Sequence, residues 1–274
     1  EFMVIATDSA HRHVLTHMRR AFADAGAHAF ATDVTGALAQ INVQGPRSRE
    51  LLQSLTTADL SSESFPYRCA REIDLGFARV LCVRITYLGE LGYELYVPTE
   101  QAVHVYDLLV GAGDAFGLRH AGLKALASLR MEKGYRDYGH DIDNTDSVLE
   151  VGLGFAVDLK KPNGFIGREH VVKQKEAGPL KRGLVQVLLK DPEQFLFHGE
   201  VVWRNGKAVG TVRSASYGHT LGGAVGLAMI EAGEPLTPEY LEKATWEVEV
   251  AEKRVPAQVS MKPLYDPESK RIRM

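Results

Sequence analysis

Residues 84–98 read "RITYLGELGYELYVP", a β-rich run, a glycine-bracketed turn and a second β-rich run. Their reading decides how the middle of the chain is organised. Gly89 and Gly92 bracket Glu90 and Leu91, and because glycine tolerates positive φ the spacing predicts a four-residue hairpin loop. In that register Leu88 stands opposite Tyr93 and Tyr87 opposite Glu94. Side chains alternate across a strand, so Ile85, Tyr87, Glu94 and Tyr96 are expected on one face, with Leu88, Tyr93, Leu95 and Val97 on or near the other. Glu94 is then one carboxylate among aromatic rings, either facing water from an edge strand or accepting from a ligand.

Upstream, "EFMVIATDS" carries no signal or transit pattern. Residues 2–7 are expected to form a strand, which implies that the chain begins inside a fold. "SAHRHVLTHMRRAFADAG" follows with Ser9 as the expected N-cap and Val14, Leu15, Met18 and Phe22 at helical spacing. His11, His13 and His17 cluster there, but no HExxH pattern and no third ligand accompany them, so a solvated helix face is expected and no metal site. "ALAQINVQG" alternates as a strand. "PRSRELLQSLT" starts a helix at Pro46 with Leu51, Leu52 and Leu55 as its apolar stripe. Strands are expected near 69–75 and 77–87, the second running into the quoted hairpin.

Downstream, "EQAVHVYDLLVGAG" reads as a helix ending at Gly111 or Gly113, and "GLKALASLRMEKG" as one ending at Gly134. The polar "YRDYGHDIDNTDS" precedes a further helix in "GREHVVKQKEAG". From about Leu184 the texture becomes short strands and turns, with Asn205-Gly206 the strongest hairpin signal. The "AGPLKRG" stretch is the boundary. The fold class is therefore α+β with a C-terminal β unit.

The chain's 274 residues, with 45% hydrophobic and 24% charged residues and no long apolar run, describe a globular protein with no membrane span. A net charge of −3 leaves no electrostatic footprint for nucleic acid or an acidic membrane. Cys69 and Cys82 fit neither a CxxC nor a zinc spacing and read as structural thiols. "GAGDAFG" and "GGAVG" lack the dinucleotide spacing, and no P-loop or nucleophile elbow is present. "DIDNTD" opens like a calcium loop, yet Asp146 stands where glycine is needed and Gly152 where glutamate is needed, leaving Asp141 and Asp143 to order a loop or touch a ligand. The constellation that remains is Tyr87 and Glu94 with the Arg130/Glu132 pair and the "YGHDID" loop.

Residues 83–98, "VRITYLGELGYELYVP", and 127–155, "ASLRMEKGYRDYGHDIDNTDSVLEVGLGF", resemble the folate-binding aminomethyltransferase family, the T-protein of glycine cleavage. "GFIGRE", "LKRGLV", "VVWRNGKAVG" and "PLYDPESKRIR" are similar to the C-terminal folate domain of sarcosine and dimethylglycine dehydrogenase flavoproteins. The resemblance implies an aminomethyltransferase fold, with 1–45 as the end of a truncated N-terminal α+β unit, 46–178 as a second α+β unit and 183–274 as a C-terminal β-barrel. It implies tetrahydrofolate as cofactor, held by Tyr87, Glu94, Tyr96 and Arg130, with Glu94 pairing with the pterin ring. A pterin edge offers adjacent N–H donors that a carboxylate can accept together, and aromatic rings can cover its flat face.

The same resemblance places the catalytic aspartate before residue 1, so that this chain alone is expected to be inactive. It also places FAD in an upstream domain that oxidises an N-methylated glycine to an iminium partner, which the folate domain captures as methylenetetrahydrofolate. Leu126 stands where the T-protein pattern has arginine, and that contact does not carry over. Alternatives are a non-catalytic regulatory relative and a free-standing aminomethyltransferase. Relatives imply a mitochondrial matrix location in a eukaryote and a cytoplasmic one in a bacterium.

Overall fold

The computed structural model describes residues 1–274, the side chain of Asp8 excepted. The chain divides into two compact units, Glu1–Ile85 with Leu91–Arg119, and Thr86–Glu90 with His120–Met274.

The first unit is built on a four-stranded antiparallel sheet. Its strands are β1 (Leu38–Gln44), β2 (Ala70–Leu75), β3 (Ala78–Val83) and β4 (Gly92–Pro98), in the order β1-β4-β3-β2. Helices α1 (His11–Asp24), α2 (Ser48–Gln53) and α3 (Ala102–Gly113) belong to the same unit. Alternation sorts the sheet into two faces. Val43, Ile73, Val80, Cys82, Tyr93, Leu95 and Val97 enter a core with Leu51 and Leu52 of α2 and Val105 and Leu109 of α3. The opposite face of β1 and β4 is polar.

Two expectations fail here. Residues 2–7 form no strand: no strand pairs with them among the described residues, and Phe2, Met3, Val4 and Ile5 are exposed. A β-rich composition cannot make a strand without a partner for its backbone groups. The helix α1 forms, but Ala10 rather than Ser9 occupies its N-cap, with no side-chain cap bond and a single 3-10 turn leading in. His11, His13 and His17 lie on its exposed surface, and His11 Nε2 pairs with Asp33 at 2.9 Å.

The quoted hairpin also departs from expectation. β3 ends at Val83, and its register with β4 sets Val83 opposite Glu94, Cys82 opposite Leu95 and Leu81 opposite Tyr96. Tyr87 is therefore not the cross-strand neighbour of Glu94, and eight residues, 84–91, connect the strands. The ladder ends where the backbone of Arg84 turns to other partners. Its N–H donates to Cys69 O, its C=O accepts from Arg68 N–H, and its buried guanidinium donates to Phe65 O at 2.7 Å.

In the second unit come α4 (Leu123–Glu132) and α5 (Arg168–Glu176), followed by a closed six-stranded barrel. Its strands are β5 (Arg182–Leu189), β6 (Val201–Arg204), β7 (Lys207–Gly218), β8 (Gly223–Glu231), β9 (Trp246–Val250) and β10 (Lys253–Ser260). They run in the order β10-β5-β8-β7-β6-β9, closed by the β9–β10 pair, with α6 (Pro238–Glu242) between β8 and β9. Asn205 and Gly206 make the predicted two-residue turn, both at positive φ, between the paired Arg204 and Lys207. The α+β class and the C-terminal barrel are thus as expected. Val187, Val202, Val212, Ala228, Ile230 and Val248 fill the barrel core. No helix is long and apolar enough to cross a membrane.

Candidate functional site

In the first unit, β1 and β4 present the polar face. Their register pairs Gln40 with Tyr96, Asn42 with Glu94 and Gln44 with Gly92, so these side chains share one side of the sheet. Tyr96 is buried, and its hydroxyl donates to Glu94 Oε2 at 2.6 Å while accepting from Gln40 Nε2 at 3.4 Å. Burial, with the adjacent Glu94 carboxylate, raises the Tyr96 pKa, which keeps the hydroxyl a donor at neutral pH. Glu94 is half-buried. One of its oxygens is fixed by Tyr96, and the other is neither bonded within the protein nor sealed from solvent.

Gly92 makes room for this face. A Cβ at position 92 would lie inside the Gln44 amide. The space lets Gln44 Nε2 approach Ile85 O at 3.4 Å, Tyr93 O at 3.3 Å and Asn42 Oδ1 at 3.3 Å. Gly92 is thus required by close approach, whereas Gly89 takes the positive φ of 80° that a turn glycine supplies.

In the second unit the decisive local device is the end of α4. Gly134, at φ 64°, sits past the helix. Its N–H reaches Met131 O and that of Tyr135 reaches Arg130 O, the paired bonds of a Schellman motif. The motif turns the chain into residues 135–146. Tyr135 stacks against Tyr87 with ring centroids 5.8 Å apart and planes 13° from parallel. The Tyr87 hydroxyl donates to Arg136 O at 2.8 Å, and burial pushes its pKa up to about 12.

Arg130 is buried and donates to Asp141, to Tyr135 O at 3.0 Å and to Ser214 Oγ at 3.4 Å. Asp141 has no exposed surface and accepts in addition from the Asp137 N–H at 2.7 Å and from the Ser214 hydroxyl. A register shift in β7 between Val212 and Ser214 accompanies that last contact. Glu132 takes a different direction from Arg130. Buried, it accepts from the backbone N–H groups of Thr220 and Leu221 at 2.7 and 2.9 Å, anchoring the turn between β7 and β8.

The structure therefore brings Glu94 and Tyr96 together, and places Tyr87 and Arg130 in the second unit. Arg130 and Glu132, adjacent in the motif, serve separate networks. Asp141 is the counter-ion of Arg130, and Asp143 accepts from the Thr145 N–H at 2.7 Å in an Asx turn. Among the described residues no group of three or more His, Cys, Asp or Glu side chains is placed to hold a metal ion. Gln40, Asn42 and Gln44 escaped the sequence reading, although their i, i+2, i+4 spacing in "QINVQ" already put them on one face. Arg136 left no such signal, because its partners are backbone carbonyls.

The family description "GCVT N-terminal domain" matches residues 1–161, and "Glycine cleavage T-protein C-terminal barrel domain" matches residues 182–266. The chain belongs to the glycine cleavage T-protein family. It is 39% identical over 272 residues to a 4-methylaminobutanoate oxidase (formaldehyde-forming) from Paenarthrobacter nicotinovorans, covering 99% of this chain and 32% of that protein. To the mitochondrial sarcosine dehydrogenase of Homo sapiens it is 35% identical over 264 residues, covering 96% of this chain and 28% of the relative. The chain thus spans about a third of the length of these relatives. The crystal structure of the glycine cleavage system aminomethyltransferase T from Bartonella henselae shares the fold. Its TM-score is 0.67 at 22% identity, over 82% of this chain and 58% of the other.

Proposed function

We propose that the chain is the tetrahydrofolate-binding, one-carbon-transfer part of a sarcosine or dimethylglycine dehydrogenase-like flavoprotein. The observation that carries this reading is the Glu94 carboxylate, fixed through one oxygen by Tyr96 at 2.6 Å and open at the other. That donor set fits the N–H edge of a reduced pterin. A half-buried carboxylate accepts charge-assisted bonds, the Tyr96 hydroxyl sets its orientation, and the amides of Gln40 and Asn42 flank it. Bound tetrahydrofolate would supply the nitrogen nucleophiles that take up a one-carbon unit.

Within this reading Glu94 binds and orients the ring. Tyr96 holds the carboxylate and keeps its own proton, and Gln44 fixes the carbonyl of Tyr93 immediately before Glu94. Tyr87 and Arg130 are ligand-facing candidates by resemblance alone. The geometry of Arg130 favours a positioning role, since its donors go to Asp141, Tyr135 and Ser214. Oxidation of the N-methylated amine, with FAD, belongs to another part of the protein, and a mitochondrial setting is proposed if the source is eukaryotic. The Paenarthrobacter relative's name supports a second outcome, release of the one-carbon unit as formaldehyde, which failure of the parent chain to bind tetrahydrofolate would favour.

The test is calorimetric titration of tetrahydrofolate into the chain and into Glu94→Gln. The amide keeps the shape and the bond from Tyr96 but presents a donor to the pterin edge. Losing a bond to a charged group costs about 1.5–3 kcal/mol, roughly one to two decades in affinity. The melting temperature without ligand should hold or rise, because a half-buried carboxylate is relieved of its desolvation. Unchanged affinity with lowered stability would make Glu94 a structural carboxylate and overturn the reading.

A further inference from the structure

Arg136 is a cation without an anion. It is partly buried, and burial pulls its pKa below the usual arginine value. Yet among the described residues no carboxylate comes within ion-pair distance of it. Asp141, the acidic group whose field it feels, is already spent on Arg130, Ser214 and the Asp137 N–H. The guanidinium is held instead by two backbone carbonyls, Nε on Val151 O at 2.9 Å and Nη1 on Gly134 O at 2.7 Å. Nη2 is neither bonded nor sealed from solvent.

Two further features surround it. Gly152, at φ 69°, lets the backbone pass close against that nitrogen, since a Cβ there would stand 2.7 Å from Nη2. The stacked Tyr87 and Tyr135 pair is tied to the Arg136 backbone, the Tyr87 hydroxyl bonded to its carbonyl and Tyr135 its chain neighbour.

From this geometry we propose that Arg136 is a carboxylate-binding position, with the Tyr87–Tyr135 pair as its aromatic wall. A half-buried guanidinium whose hydrogen bonds go to carbonyls has no ion-pair partner of its own, and a carboxylate is the partner whose geometry matches its free edge. Carbonyls orient the fork without neutralising it. Arg136 is therefore pre-positioned for a ligand, where Arg130, with Asp141 beside it, is closed. Two sources share the chemistry: the glutamyl end of a folate, and the carboxyl group of a small N-methylated amino acid. The site is independent of Glu94, so its success or failure is separate from that of the proposed pterin contact.

The experiment titrates the chain with p-aminobenzoylglutamate, which carries carboxylates and a ring but no pterin, and separately with sarcosine. One of the two is expected to bind, its identity naming the source, and Arg136→Gln should weaken that binding at least about tenfold. Tyr87 and Tyr135 fluorescence should respond in the parent and not in the variant. Because Arg136→Gln also gives up two carbonyl bonds, Arg136→Lys is the second variant. It keeps the cation while giving up the planar fork, and it should weaken the same titrant less than Arg136→Gln does. Binding of neither titrant, or binding that survives both substitutions in folded protein, overturns the proposal.

Discussion

Gly92 and Gln44 show how a single residue determines the polar face. The strand needs no unusual φ at position 92; it needs the absence of a Cβ, because the Gln44 amide lies across the backbone there. Gly92→Ala must evict that amide from the carbonyls of Ile85 and Tyr93. The expected cost is that of overpacking, about 1–3 kcal/mol, read as a lower urea midpoint at unchanged slope. In a Gln44→Ala background the same substitution has nothing to evict and should cost markedly less. Equal costs in both backgrounds would show that the amide is not what Gly92 accommodates.

At the scale of elements, the segment 135–146 is ordered by a carboxylate that the sequence flagged without assigning. Asp141 and Asp143 are two residues apart and equally polar, but Asp141 is fully buried against Arg130 while Asp143 closes a local Asx turn. Asp141→Ala strands a buried guanidinium and should cost about 3–5 kcal/mol in denaturant melts. Asp143→Ala should leave the midpoint nearly in place, and comparable losses at both positions would refute the distinction. The same contrast explains what was legible. Helices α2 to α5, the Asn205-Gly206 turn and the barrel follow from spacing and turn chemistry, which are local. The end of β3 at Val83 depends on where Arg84 finds partners at Phe65, Arg68 and Cys69, which no local pattern records. Glu94 and Tyr96 were legible as a pair because i and i+2 share a face of one strand. The expected Tyr87–Glu94 register was not, because it required the loop length to be known first.

On the scale of the molecule, ionisable groups buried in both units link stability to alkaline pH. In the first unit, burial pushes the Cys82 thiol from 9.0 to about 12. In the second, burial pushes Tyr87 from 10.0 to about 12, and burial with the Glu90 carboxylate does the same for Tyr265. Each folded pKa exceeds its unfolded value, so the folded state binds the proton more tightly. The stabilisation is complete below pH 9 and is lost progressively as pH rises towards 12, because only the unfolded chain gains by ionising. The thiol begins to act about one pH unit before the phenols, so replacing it should change the onset rather than the end of the decline. Thermal melts of parent and Cys82→Ala between pH 8 and 11.5 should diverge most at pH 8 and converge as pH rises from about 9 to 11.5. There the parent loses up to about 1.4 kcal/mol per pH unit that the variant does not. A constant difference across the whole range would mean that Cys82 contributes packing alone and that its proton is not linked to folding.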